Sequence, residues 1–322
     1  EPKLTHLFPD HLKTVLNSKT SEEANKNFQE SLFLVEETLP TDTFVLLLDA
    51  YQEVFNQSEL TNAFVYEEKA ILNLRQSALD SALHFGNLAL KSYTSLKDTS
   101  GLARSQMIIA SVNSFRGEFS EALKNQLKAV ELFELIDDQA GKYDAISEMS
   151  VNCYLEGRYS EAEKLGKQVL NYAISAKDTF LHADILNSLG SIYHQLGRQK
   201  ESTESILKSI EIRKELNDDF GLGQSYNGLA VTFMTEGKWQ EALEILFKAE
   251  QIAEKIEDTR NLTSLYYNVG TCYMELGKDQ QAEAAFVRVI SLAEKSGIKD
   301  EGLIRCLQRI SLLKEKQGDI RN

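Results

Sequence analysis

A glycine returns every 40 residues, at Gly117, Gly157, Gly197, Gly237 and Gly277, and the residues around it return with it. Gly237-Lys238-Trp239-Gln240-Glu241-Ala242-Leu243 reads as a helix stop, a two-residue turn and a helix start. Glycine just past a helix takes the left-handed conformation that a side chain disfavours, so it ends the preceding helix without strain. Glu121, Glu161, Glu201 and Glu241 then fall in the first turn of the next helix, where a carboxylate meets the positive end of the peptide dipoles. The following position is always small (Ala122, Ala162, Ser202, Ala242, Ala282), which lets two helices approach closely. A chain punctuated in this way folds as stacked helical pairs, each burying its apolar face against its neighbours.

A second marker, Asp98, Asp138, Asp178, Asp218 and Asp258, confirms the 40-residue period. It is read here as closing each second helix, near the place where the next first helix needs a cap. The first clear repeat spans 61–100, with Ser77 in place of the glycine and Ala82 at the small position, and five more follow at 101–140, 141–180, 181–220, 221–260 and 261–300. First helices carry large apolar residues at helical spacing, such as Leu186, Leu189 and Tyr193, or Leu229 and Phe233. Residues 1–60 lack the markers. They predict a short helix after Pro9, a second over 21–39 and a third from Pro40-Thr41-Asp42 to about Phe55, as an N-terminal helical cap or a degenerate repeat. Either arrangement sets Phe44, Leu47 and Leu48 against the first clear repeat. Residues 301–317 read as another first helix and Gly318-Asp319 as its turn, so 301–322 is expected to be the start of a truncated repeat within a longer protein.

Composition limits the function. Three prolines with 42% hydrophobic and 26% charged residues suit an all-helical chain. A formal net charge of −14 argues against nucleic acid and anionic membrane surfaces, which require clustered Lys or Arg, and leaves a basic partner open. Cys153, Cys272 and Cys306 are odd in number and far apart, which points to reduced thiols and a cytoplasmic setting. The longest apolar run, Phe44-Val45-Leu46-Leu47-Leu48, is too short to span a membrane, so direct membrane insertion is not expected. The chain begins at Glu1-Pro2 without methionine, which leaves room for a removed leader or membrane segment.

With Leu189-Gly190, Tyr193, Gly197 and Ser202 in one repeat, and Leu229, Phe233, Gly237, Trp239, Ala242 and Ala249 in the next, the chain resembles the tetratricopeptide repeat family over about 61–317. The family's usual repeat is about 34 residues. The 40-residue form is similar to a subset found in spindle-orientation adaptors, bacterial peptide-sensing regulators, and sensory regions ahead of bacterial cyclase or kinase modules. The ending Leu312-Leu313-Lys314-Glu315-Lys316-Gln317-Gly318-Asp319 is similar to the last repeats before a diguanylate cyclase module. The resemblance implies an all-α, right-handed α-solenoid, a superhelix whose concave face is lined by first helices. Its groove positions fall on Arg104, Tyr154, Asn187, His194, Asn227, Met234, Tyr267 and Met274, among others. Asn187 and Asn227 are expected to hold an extended peptide backbone through their amides, with Met234, Tyr267 and Met274 offering adaptable apolar contact. The basic residues with which chaperone-binding members of the family clamp a terminal carboxylate are almost absent here.

Each of these residues also has a plain structural reading. Tyr267, Met234 and Met274 suit packing between neighbouring first helices, His194 suits a solvated polar position, and Trp239 suits the turn's aromatic site. No residue set proposes a catalytic centre, and no metal ligands stand beside His194. Gly221-Leu222-Gly223-Gln224-Ser225-Tyr226-Asn227-Gly228 lacks the preceding strand and spacing of a phosphate loop. No cofactor is expected. The expectation is therefore a non-catalytic region that binds a protein or peptide segment, acting as the sensory part of a larger bacterial signalling protein, with a diguanylate cyclase as one candidate output. The alternative is a self-assembly scaffold that forms a homodimer.

Overall fold

The computed structural model describes residues 26–27, 41–55, 58–296 and 301–316, and among these there are helices and turns but no strand. The chain divides into two compact units, Glu1–Arg158 and Tyr159–Asn322. The first contains α1 (Thr41–Val54), α2 (Glu59–Arg75), α3 (Leu79–Leu96), α4 (Thr99–Phe115), α5 (Phe119–Leu135) and α6 (Gln139–Leu155). The second contains α7 (Tyr159–Ala176), α8 (Thr179–Gln195), α9 (Gln199–Leu216), α10 (Asp219–Thr235), α11 (Trp239–Lys255), α12 (Thr259–Glu275), α13 (Asp279–Ser296) and α14 (Glu301–Lys316). The division runs through the turn at Gly157-Arg158, inside the repeat read as 141–180. The helix expected after Pro9, that expected over 21–39 apart from the helical residues 26–27, and the turn at Gly318-Asp319 lie outside the described residues.

Within each unit a first helix packs most extensively on the second helix that follows it, as α4 does on α5 and α10 on α11, and a second helix then packs on the next first helix. Within the units, first helices also touch one another, α2 with α4, α8 with α10 and α10 with α12, whereas second helices stand further apart. First helices therefore form the inner layer and second helices the outer one. Ala122, Ala162, Ala242, Ala282 and Ser202 are all 0% exposed, as a close helix crossing requires. In the first unit Phe44, Leu47, Leu48 and Tyr51 of α1 join Phe64, Val65 and Leu72 of α2 in one apolar cluster.

The two joints of each repeat are built differently. At the turn inside a repeat, the five glycines have φ between +69° and +83°, and Ser77 takes +59° in the same place. A Cβ on any of these glycines would meet nothing within 4 Å, so the demand for glycine there is one of dihedral angle and not of space. At the joint between repeats, Lys97, Asp137, Lys177, Asn217 and Glu257 take φ of +54° to +57°. No residue type marks these positions. What marks them is the next residue. Asp98, Asp138, Asp178, Asp218 and Asp258 each accept a hydrogen bond through Oδ1 from the N–H three residues on, at 2.9–3.0 Å. Each aspartate's own N–H also bonds the second-helix carbonyl five residues back, so the same residue closes one helix and caps the first helix that follows.

Across the same joint, side-chain volume is matched. An added Cβ on Gly101 would stand 2.2 Å from the Tyr93 ring, one on Gly141 would stand 2.6 Å from Phe133, and one on Gly221 would stand 1.3 Å from the Arg213 guanidinium. Where the second helix supplies Ala173 or Ala253 instead, the facing position is Leu181 or Asn261. Close packing fixes the combined volume of each pair and leaves its division free.

Candidate functional site

The inner layer of the second unit holds a cleft of about 310 Å³ between α10, α12, α13 and α14. It is lined by Asn227, Thr263, Ser264, Tyr267, Asn268, Val289 and Arg305. The repeat places these residues in register, because 227 and 267 occupy the same helical position one period apart. Asn268 Nδ2 donates to Asn227 Oδ1 at 2.8 Å, which orients both amides and leaves Asn227 Nδ2 as a donor and Asn268 Oδ1 as an acceptor at the cleft. Tyr267 forms one wall and leans on Phe286, with ring centroids 5.9 Å apart at 56°. A cleft of this kind offers amides and hydroxyls beside an aromatic wall, which suits main-chain hydrogen bonding with apolar contact alongside.

The other expected groove residues are placed as follows. Asn187 shares the register of Asn227, but its Oδ1 is sealed from solvent and accepts no hydrogen bond; a Cβ on Gly228 would stand 3.4 Å from it. His194 is half-buried with its Nδ1 likewise sealed. Met234, Tyr267 and Met274 are partly buried against the apolar core of α10–α14, so the packing reading describes them, with Tyr267 serving the cleft as well. Tyr154 is half-buried on α6 of the first unit.

Arg104, also in the first unit, is committed to a structural pair. Its Nε and Nη2 bond the buried Glu67 at 2.6 and 3.1 Å, and Tyr93 donates to the same carboxylate at 2.5 Å. Burial alone would lower the pKa of Arg104, but its bonds to Glu67 raise it instead. Burial, reinforced by Glu67, raises that of Tyr93. Between the inner and outer layers of this unit runs a polar network that motif reading missed. Gln126, fully buried on α5, donates to Glu148 at 3.3 Å and accepts from Asn152 Nδ2 at 3.0 Å, while Ser114 donates to Asn152 at 2.5 Å. The protein surrounding Glu148, and the like charge of Asp144, push its carboxyl above the usual range, although the side chain stays open to solvent.

These missed pairs share one signal. Arg104–Glu67, Ser114–Asn152 and Asn268–Asn227 are separated by 37, 38 and 41 residues, one period give or take a few residues. Complementary polar residues at that separation would have located them.

Among the described residues no group of three or more His, Cys, Asp or Glu is placed to hold a metal ion, and no helix is long and apolar enough to cross a membrane. All three cysteines are buried and outside any disulfide, and burial pushes Cys272 up to about 11.

Comparison with known proteins agrees with this architecture. Residues 181–255 and 263–296 match models of the tetratricopeptide repeat. No curated protein matches the chain. Among solved structures, a Rap protein complexed with competence and sporulation factor is similar over 99% of this chain and 98% of its own, at 15% identity and a TM-score of 0.62. A tetratricopeptide repeat protein from Parabacteroides merdae is similar over 94% of this chain and 100% of its own, at 18% identity and a TM-score of 0.61. The signal transduction ATPase PH0952 from Pyrococcus horikoshii, which has a tetratricopeptide repeat sensor, is similar over 96% of this chain but 49% of its own, at 17% identity and a TM-score of 0.63. Residues 181–255 and 263–296 thus carry tetratricopeptide repeats, and the described residues on both sides of them continue the same pattern of helical pairs.

Proposed function

We propose that this chain is a recognition region whose inner layer binds an extended protein or peptide segment, with the cleft at Asn227, Tyr267 and Asn268 as its main contact. The observation that carries this reading is the Asn268–Asn227 hydrogen bond, which holds one amide donor and one amide acceptor toward a cleft with an aromatic wall. A peptide main chain needs that pair of groups, and orienting them beforehand removes part of the ordering cost of binding. The likeness to a Rap protein complexed with a factor, and to an ATPase with a repeat-built sensor, supports a regulatory role. In its fuller form the chain is the sensory part of a larger cytoplasmic bacterial signalling protein, with a diguanylate cyclase as one candidate output.

The test is selection of binding peptides from a displayed random library, followed by titration against variants. Asn227→Ala removes the donor and disturbs Asn268, and is expected to weaken a selected peptide by roughly three- to tenfold while the helical melt holds. Asn187→Ala, at a sealed amide, is expected to change affinity less. Equal affinity for wild type and Asn227→Ala would reject the cleft as the contact.

A further inference from the structure

The outer layer of the second unit carries an apolar row that neither its core nor its cleft uses. Leu207 on α9, Phe247 on α11 and Val287 on α13 occupy the same repeat position and are 48%, 39% and 50% exposed. The next residue on each helix is an exposed cation, Lys208, Lys248 or Arg288. One turn before the row stand Glu204 and Glu244, and one turn after it stands Glu211, all exposed. On α7 of the same unit the equivalent of Leu207 is Lys167, tied to Glu163 at 2.6 Å, so the row begins at α9. The first unit supplies an internal contrast. Its two complete second helices place the exposed Asn87 and Leu127 there, a single apolar residue with no apolar neighbour in register. Single exposed apolar residues are ordinary, whereas three in register on adjacent repeats are a surface feature.

We infer that this face of α9, α11 and α13 is where a second copy of the chain docks. Three points favour a copy over other occupants. The charges flanking the row are of both signs, Glu204, Glu211 and Glu244 against Lys208 and Lys248, with Arg288 turned to Glu250 and Tyr266, so the face selects neither a strongly acidic nor a strongly basic partner. For the same reason the face offers an anionic membrane no net attraction. A face that carries apolar residues with both charges is complementary to itself, which a two-fold interface requires. Its size is sufficient as well. Helices of this length present about 27 Å each, and three of them, spaced more widely than the ~10 Å of directly packed helices, span at least about 800 Å², the area one partner contributes to a stable interface. Phe247, central in the row, is the anchor. The inference does not rest on the inner-layer cleft, which this docking leaves open.

The test is the mass of the 322-residue chain by sedimentation velocity and light scattering from micromolar to 100 micromolar. The wild type is expected to approach twice 36.3 kDa as concentration rises. Phe247→Asp, which sets two carboxylates against each other, is expected to weaken association by ~30-fold or more, as loss of an anchor does. Since Phe247 also touches its own helix, Leu207→Ser with Val287→Ser serves as a second, milder variant and is expected to shift the equilibrium the same way. Leu127→Asp in the first unit is expected to leave the mass unchanged. A wild type that stays at 36.3 kDa throughout overturns the inference, as does a dimer indifferent to both outer-face variants. Peptide titration of the Phe247→Asp monomer then reads the cleft separately, so that the two proposals stand or fall apart.

Discussion

The same repeat position holds Gln126 in the first unit and Ile206, Leu246 and Phe286 in the second. In every case the side chain is buried between a second helix and its first-helix neighbours, yet the solutions are opposite in chemistry. Phe286 fills its site by lying on the bare backbone of Gly270, where an added Cβ would stand 2.6 Å from the ring. Gln126 fills its site with hydrogen bonds to Glu148 and Asn152. The repeat therefore dictates where a side chain goes and how much room it has, and leaves the kind of cohesion open. Apolar filling is tolerant of shape and sensitive to volume; a polar network is sensitive to every missing partner.

That contrast can be broken from either side. The largest effect is expected in the second unit, where Phe286→Ala removes a fully buried ring and costs about 3–5 kcal/mol, read by chemical denaturation. Gln126→Leu is expected to cost about 1–3 kcal/mol, because it strands the Asn152 amide without adding a void of similar size. If the two substitutions cost the same, the distinction between volume and partners is not what separates the sites.

Volume matching at the joints sharpens the point. Gly221→Leu alone must displace Arg213 from Asp184 and Asp218, and it is expected to cost about 2–4 kcal/mol. Adding Arg213→Ala reproduces the pairing already present at Ala173 and Leu181, and the double variant is expected to recover at least half of that loss. Strict additivity in the double-mutant cycle would refute the matching.

The smallest effect concerns pH. Because the carboxyl of Glu148 titrates above its unfolded value, the protonated form favours the fold. Its contribution to stability is complete below the unfolded pKa and disappears as pH rises through the folded one. Exposure to solvent keeps the effect small. The chain is therefore expected to lose slight stability through this group as pH rises above about 4, and Glu148→Gln should flatten that slope. An unchanged slope in the variant would remove Glu148 from the account.

Much of the fold is legible in the sequence for a simple reason. Gly117 and its equivalents, the small residues from Ala122 to Ala282, and the capping aspartates each answer to a local demand, and a local demand repeated every 40 residues stands out. The left-handed step at Lys97, Asp137, Lys177, Asn217 and Glu257 leaves no such trace, because the surrounding hydrogen bonds hold the strained angle whatever side chain is present. The cleft was half legible. Asn227 and Tyr267 follow from register, but Asn268 acts through a bond to the neighbouring helix, and Arg104 looks like a groove cation until Glu67 is found beside it. Pairings between repeats depend on two residues at once, so no single-position pattern displays them.

The capped joint also bears on how such a chain can be rearranged genetically. A segment that begins at one capping aspartate and ends just before the next carries its own cap and turn, so duplication or deletion of 40 codons there leaves every backbone angle permitted. Deleting 178–217, for example, would bring Lys177 against Asp218 in a joint of the usual kind. It would also bring Ala173 to face Gly221, two small residues across a seam that elsewhere holds one large and one small, and the recombinant would inherit a void. The joints make the modules exchangeable as backbone, while the volumes across them keep a record of which module came next.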